Sequence, residues 1–304
     1  MPNTNEKYLI VLAGPTAVGK TDLSIRLAQA LNTVIISADS RQFFRELNIG
    51  TAKPDASDLE SVKHYFINSH SINEVYSAGD FERDVLLLLD TLFEKYDRVI
   101  MTGGSGFYIK ALSEGLDELP QPLPGLREAL TQRLLDEGLE ALQNEVARVD
   151  PGFASSGEFS NPQRVVRALE VFKTTGNPIS AYQKKKLDKR PFKQILIALD
   201  RERAELYQRI DQRMDVMLNE GLVTEAKDLI AYRSHHALQT VGYKEVYGFL
   251  DGLYDEAEMT RLLKQNSRRY AKRQLTWFRH QGDFKWFHPN DFDLILNYIK
   301  RSAE

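Results

Sequence analysis

Cysteine is absent from this 304-residue chain. Its absence excludes disulfide bonds, a thiolate nucleophile and any zinc site built on sulfur, and it fits a reducing compartment. Long apolar runs are also missing. No stretch approaches the roughly 20 residues needed to cross a bilayer, and the opening MPNTNEKYLIVLAG is too polar for a secretory leader. Tryptophan is scarce, and Trp277 and Trp286 read as packing residues. No internal repeat and no low-complexity tract is visible. What remains is ordinary for a folded protein, 42% hydrophobic and 27% charged, and long enough for one large or two medium domains. A cytoplasmic enzyme without a membrane partner is the expectation.

The formal net charge of -3 argues at first against a nucleic-acid partner, but its distribution matters more than its sum. Gln183 to Lys193 carries six basic residues against one acid. Arg261 to Gln281 carries seven lysines and arginines and no acid. On a helical wheel Arg261, Lys264, Arg268 and Lys272 share one face, with Arg269 and Arg273 beside it, opposite Leu263, Tyr270, Trp277 and Phe278. This is either a solvated charged face or a phosphate-contacting one. The lack of acids for pairing along the helix and the heavy use of arginine favour phosphate contact, above all at Arg269 and Arg273.

The strongest motif is YLIVLAGPTAVGKT, Tyr8 to Thr21. An apolar strand, a GxxxxGKT loop and an amphipathic helix bearing Leu23, Leu27 and Leu31 follow one another. Backbone N–H groups of such a loop and the positive end of the helix converge on a phosphate or diphosphate. The loop comprises Gly14, Pro15, Thr16, Ala17, Val18, Gly19, Lys20 and Thr21. Gly14 and Gly19 permit its tight path, Lys20 supplies a cation, and Thr21 offers a hydroxyl to magnesium.

Strand and helix signals alternate through the first third: YLIVLA, TVIISAD, the helical FERDVLLLLDTLFEKYD, and DRVIMTGGSG. The fold class is therefore α/β, a P-loop parallel sheet flanked by helices. Three segments reach the carboxyl edge of that sheet, where ligands sit: the P-loop, Asp39-Ser40-Arg41-Gln42, and Gly103-Gly104-Ser105-Gly106. After the PQPLPG hinge the texture becomes helical. One helix is expected to end at Gly138, and another to run from Asn161 as N-cap through Pro162 to Gly176. Strand texture returns at Phe192 to Asp200, and the remainder reads as helical. An all-helical module over 119–190 is thus inserted into a core of 1–118 plus 191–304, which ends in a helical C-terminal region.

Phosphohydrolases with this loop usually carry an acid at the end of a neighbouring strand. Here VIMTGGSG ends in glycine and serine, and the carboxylate is Asp39, after TVIISAD. Asp39 suits general-base work on a second substrate, or it is an ordinary turn residue. His64 and His70 read as surface or core residues rather than metal ligands.

GPTAVGKT, ISADSRQFFRELNIGTAKP, VYSAGDF, TGGSGFYIKAL, NPQRVVRALEVFKTTG, QTVGYKEV and RYAKRQLTWFR occur in this order between residues 14 and 279. Together they resemble the bacterial tRNA dimethylallyltransferase family, which prenylates the exocyclic amine of the adenosine 3′ to the anticodon. The resemblance implies that the P-loop holds the diphosphate of dimethylallyl diphosphate, with magnesium aided by Thr21. It implies that Asp39 is the general base and that Ser40, Arg41 and Gln42, with Asp39, form a tRNA-contacting turn. Ser105 stands where many members have threonine and keeps the hydroxyl of a catalytic position. Arg213 matches an arginine on the diphosphate side. Arg127 and the stretch Gln163, Arg164, Val165, Val166 and Arg167 match tRNA-contacting positions that grip the anticodon stem-loop. A monomer is expected. Three rivals stay open on the residues alone: a P-loop kinase that binds ATP, a prenyltransferase acting on AMP, and a non-catalytic RNA-binding module.

Overall fold

The computed structural model of the chain describes residues 6–117, 119–183 and 189–303. Lys184, Lys185 and Lys186 of the Gln183–Lys193 basic run, and the first five residues, lie outside the described residues. The described residues divide into two compact units, one of Met1–Glu114 with Lys189–Glu304, the other of Gly115–Asp188.

The first unit is built on a six-stranded sheet whose strands are β1 (Tyr8–Ala13), β2 (Ile35–Ser37), β3 (His64–Tyr65), β4 (Arg98–Gly103), β5 (Lys193–Leu199) and β6 (Lys285–Phe287). Their order is β3-β2-β4-β1-β5-β6, and every pairing is parallel. The helices of this unit are α1 (Lys20–Leu31), α2 (Ala56–Ser61), α3 (Ala78–Leu92) and α4 (Gly106–Glu114), then, past the second unit, α8 (Arg203–Asn219), α9 (Leu222–Asp228), α10 (Tyr243–Leu250), α11 (Glu256–His280) and α12 (Phe292–Ser302). The second unit holds α5 (Leu126–Val149), α6 (Pro151–Ala154) and α7 (Pro162–Thr175).

Strand periodicity explains the layering. Leu9, Val11 and Ala13 of β1 join the core on one sheet face, with Val85 of α3, Ile109 of α4 and Leu263 of α11. Tyr8, Ile10 and Leu12 join the other, with Leu23 and Leu27 of α1 and Ile295 of α12. All six residues of β1 are buried, as expected for a strand in a sheet covered on both faces. Each large aliphatic side chain buried there contributes about 1.5–3 kcal/mol. The loop leaving β1 is thereby anchored between two packed layers, beside the ends of β4 and β5.

In the second unit Asn161 caps α7 through its side chain, Pro162 opens the helix, and Gly176 closes it in the left-handed conformation. Gly138 (φ 81°, ψ 169°) leaves helical geometry, so α5 is two helical segments meeting at a kink, and the first ends at this glycine as expected. β6 interrupts the expected C-terminal run of helices. With only three residues, it carries too little periodicity to be read from sequence.

Candidate active site

The turn after β1 brings Thr16, Ala17, Gly19, Lys20 and Thr21 to the wall of a cavity of about 340 Å³. Gly19 has φ 107°, a left-handed value that disfavours side chains, and lets α1 begin at the cavity wall with Lys20 and Thr21. Gly14, Pro15 and Val18 are not among the lining residues. Val18 is buried in the core beneath the loop and Gly14 lies against Leu199 of β5, so these residues shape the cradle from behind.

Lys20 donates its ammonium to the carbonyls of Gly14 at 2.9 Å and Pro15 at 2.7 Å. Burial pulls its pKa down to about 7, against an opposing pull from Asp39. Arg213 of α8 donates to the Thr16 hydroxyl, and burial lowers its pKa to about 10. Its Nε is buried and without a protein partner. A buried guanidinium donor with no acceptor is costly unless an anion meets it. Lys20 and Arg213 thus bring two desolvated cations to one cavity.

Asp39 lies on the same cavity wall. Its Oδ1 accepts the Arg41 N–H at 2.9 Å, which fixes the Asp39–Arg41 turn. Ser105 reaches this turn from the far side: its hydroxyl accepts the Ser40 N–H at 2.9 Å and donates to the Ser40 hydroxyl at 3.1 Å. Ser105 therefore braces the carboxylate-bearing turn and does not line the cavity itself.

A smaller annex of about 80 Å³ opens from the same region, lined by Asp39, Arg41, Gly50, Thr51, Arg213, Met214, Met217, Val241 and Tyr270 among others. Arg41 is held below the ordinary arginine range by burial, and its Nε too lacks a protein partner. Gln42 lines the main cavity, but both ends of its amide are engaged inside the protein. It accepts from the Ser37 hydroxyl at 3.1 Å and donates to the carbonyls of Thr51 and Ala52 at 3.2 and 3.1 Å. The amide braces a loop.

Two residues that sequence reasoning left without a role complete the site. Gln274 of α11 accepts the Thr16 N–H at 2.9 Å and donates to the Gly104 carbonyl at 2.9 Å, tying two loops of the sheet edge together. A side chain at Gly104 would collide with Gln274, and one at Gly106 with Trp277, so the glycines after β4 are what let α11 approach. Tyr270, one turn earlier, lines the main cavity, the annex and an outer groove. Burial, reinforced by Asp39, pushes its phenol up to about 12 and keeps it neutral. The signal for both was a glutamine and a tyrosine on the inner, otherwise apolar face of a long helix.

The outer groove, about 270 Å³, is lined by Ser40, Ser105, Phe107, Arg273 and Trp277, with Tyr270 and Gln274 shared with the cavity. Arg273 lies over the Tyr270 ring at 5.7 Å. Arg269 is exposed and donates to Asn266 at 3.3 Å. Neither arginine has a carboxylate partner among the described residues. The rest of the basic face differs from expectation. Arg261 pairs with Glu258, Lys264 with Asp215 and Arg268 with Asp211, so acids from the neighbouring turn and from α8 neutralise three of its four cations, Lys272 being the exception among the described residues.

In the second unit, Val165 and Val166 are 0% and 2% exposed and pack in its hydrophobic core. Their side chains hold the unit together and do not reach its surface. Arg127 grips the buried Glu170 with two hydrogen bonds of 2.6 and 2.7 Å, and Arg167 adds a third at 3.0 Å. Both arginines secure a carboxylate that would otherwise be buried alone. Gln163 is exposed, and Arg164 lies 3.7 Å from Glu158.

The donors near the cradle are mainly oxygen, from Thr21, Ser37, Asp22 and Asp39, with the His64 ring as the exception. Hard oxygen donors suit magnesium, which keeps several waters and draws further ligands from phosphate. Among the described residues no group of three or more His, Asp or Glu side chains could hold a metal ion by itself. No helix among them is long and apolar enough to cross a membrane.

Sheet and loop define an α/β protein of the P-loop fold, with one cavity shared by Lys20, Arg213 and Asp39. The family described as IPP transferase matches residues 42–281, and the chain belongs to it. It is 54% identical over 298 residues, covering 98% of both chains, to a tRNA dimethylallyltransferase of Cytophaga hutchinsonii. Among solved structures, it resembles the full-length tRNA isopentenylpyrophosphate transferase of Bacillus halodurans, at 36% identity and TM-score 0.73, covering 98% of this chain and 97% of that one. It also resembles a eukaryotic dimethylallyltransferase acting on tRNA, at 27% identity and TM-score 0.77, covering 98% of this chain and 78% of that one.

Proposed function

We propose that the protein transfers a dimethylallyl group from dimethylallyl diphosphate to the exocyclic amine of the adenosine 3′ to the anticodon in tRNA, releasing diphosphate. The observation that carries this reading is the sharing of one cavity by Lys20, Arg213 and Asp39. Two cations suit a leaving diphosphate, and a carboxylate beside them suits a proton acceptor. β4 ends in Gly103, followed by Gly104 and Ser105, with no acid for activating water on a transferable phosphoryl group.

In this mechanism the adenine nitrogen attacks the allylic C1 and forms the N–C bond. The C1–O bond breaks, its electron pair leaves with the diphosphate, and the amine proton passes to Asp39. Positive character grows on carbon while negative charge grows on the departing oxygens. Lys20, Arg213 and N–H groups of the loop are the donors we assign to that charge, an electrostatic contribution that fixed groups supply with less reorganisation than water. The orphaned Nε of Arg213 gains its acceptor when diphosphate binds. Magnesium, where bound through Thr21 and the diphosphate, would add further neutralisation of the leaving group.

The adenine must leave its stack to reach the cavity, at a cost of a few kcal/mol that contacts in the pocket offset. The groove bearing Arg273 and Trp277 is the route we assign to the nucleotide, with Arg269 and Arg273 meeting phosphates. Gln163 and Arg164 of the helical module supply further contacts with the anticodon stem-loop. The protein acts in the cytoplasm as a monomer.

The test is transfer of a labelled dimethylallyl group, with magnesium present, to an anticodon stem-loop carrying the target adenosine. Label in the RNA is the expected result. Label appearing only in AMP, or phosphate transferred from ATP instead, would replace this reading by one of its rivals.

A further inference from the structure

The loop Asn48–Ala52 walls both the cavity and the annex, through Thr51 and Ala52 on one side and Gly50 and Thr51 on the other. It contains only a short 3-10 turn and has no strand to support it. The Gln42 amide holds the loop's Thr51 and Ala52 carbonyls, and Glu225 of α9 holds its N–H groups. One carboxylate oxygen accepts the N–H groups of Asn48 at 3.0 Å and Ile49 at 2.8 Å. The other accepts the N–H of Gly50 at 3.0 Å and the phenol of Tyr243 at 2.7 Å. Three successive backbone N–H groups converging on one anion form a nest, here filled by the protein's own side chain.

Tyr243 is fully buried at the start of α10. Burial, with Glu225 next to it, raises its phenol pKa well above the ordinary value, so it stays a donor. Its ring lies against Gly50 so closely that a Cβ there would sit 2.6 Å from it. The loop is thus pinned by three of its N–H groups to one carboxylate, which the Tyr243 phenol holds in turn, and is clamped by the ring of that tyrosine.

We infer that Glu225 and Tyr243 are positioning residues for the transfer reaction. They hold the Gly50–Ala52 wall at the separation from Asp39 and Arg213 that aligns the allylic carbon with the attacking amine. This rests on the reading of the cavity and annex given above. A reacting geometry displaced by about 1 Å costs up to roughly a hundredfold in rate, while diphosphate binding at Lys20 is left alone because neither residue touches that cradle.

Glu225→Gln makes the point sharply. Its amide NH2 would face either the N–H groups of Asn48 and Ile49 or that of Gly50, and none of these can accept. The variant should lose about tenfold to a hundredfold in kcat, with the affinity for inorganic diphosphate, read by calorimetry, unchanged. Tyr243→Phe removes one donor and should lose about threefold to tenfold. In combination with Glu225→Gln it should add almost nothing, because both act through one loop.

Wild-type kcat in folded Glu225→Gln, or in Tyr243→Phe should the first variant fail to fold, would overturn the inference. So would losses that multiply in the double variant. A Lys20→Met variant with wild-type diphosphate affinity would instead overturn the reading of the cavity, independently of Glu225.

Discussion

Gln274 accepts the backbone N–H of Thr16 at 2.9 Å across 258 residues of sequence, joining the cradle after the first strand to the last long helix. The same amide holds Gly104, so one side chain fixes the spacing between two loops of the sheet edge. Replacing Gln274 with Leu strands the Thr16 N–H and the Gly104 carbonyl in a buried place. The expected loss is about 1–3 kcal/mol of stability, seen as a lower urea midpoint with an unchanged slope. Turnover should fall as well, because the cradle loses its register with α11.

Asp39→Ala should reduce transfer by about two to four orders of magnitude, the usual contribution of a general base. RNA affinity, measured by filter binding, should stay near wild type. Turnover that barely changes would remove Asp39 from proton transfer.

Lys20 makes a prediction in pH. Its folded pKa of about 7 lies below the ordinary 10.5, so between these values the unfolded chain binds a proton that the folded one does not. The cost of holding Lys20 in the fold therefore shrinks as pH rises through this window. A bound diphosphate reverses the balance by favouring the ammonium. Binding of diphosphate near pH 8 should take up close to one proton from solvent, and much less near pH 6. Calorimetry in two buffers of different ionisation enthalpy measures this directly. Lys20→Met should abolish the uptake.

Arg269 and Arg273, like Lys272 between them, are cations of α11 with no carboxylate partner among the described residues. Replacing both with Ala should weaken tRNA binding and flatten the slope of log affinity against log salt by about one to two units. The same change at Arg261, paired with Glu258, should leave the slope close to wild type. Equal effects at both places would mean that the paired arginine also meets phosphate.

The contrast between those arginines shows where sequence was legible. The GxxxxGKT loop, strands β1, β2, β4 and β5 and the caps of α7 depend on near neighbours in the chain, and their residue types announce them. The neutralising acids Asp211 and Asp215 lie about fifty positions from their partners on another helix. A wheel drawn on α11 alone could not include them. Val165 and Val166 sit inside a polar, arginine-rich motif, yet helical geometry turns them into the core of their unit. Gln274 and the Glu225–Tyr243 clamp were hidden for the same reason, since each acts on loops far away in sequence. Local chemistry was readable, whereas long-range polar pairing became visible only with the fold.

The central claim is that the cradle after β1 holds a departing diphosphate with Asp39 facing the allylic carbon. A crystal structure with a non-reactive thio analogue of dimethylallyl diphosphate tests it most directly. The account predicts the diphosphate oxygens on Lys20, Arg213 and the loop N–H groups, with the five-carbon group directed toward the annex and C1 open to Asp39. An analogue seated away from the Gly14–Thr21 loop, or one whose C1 points away from Asp39, would contradict it.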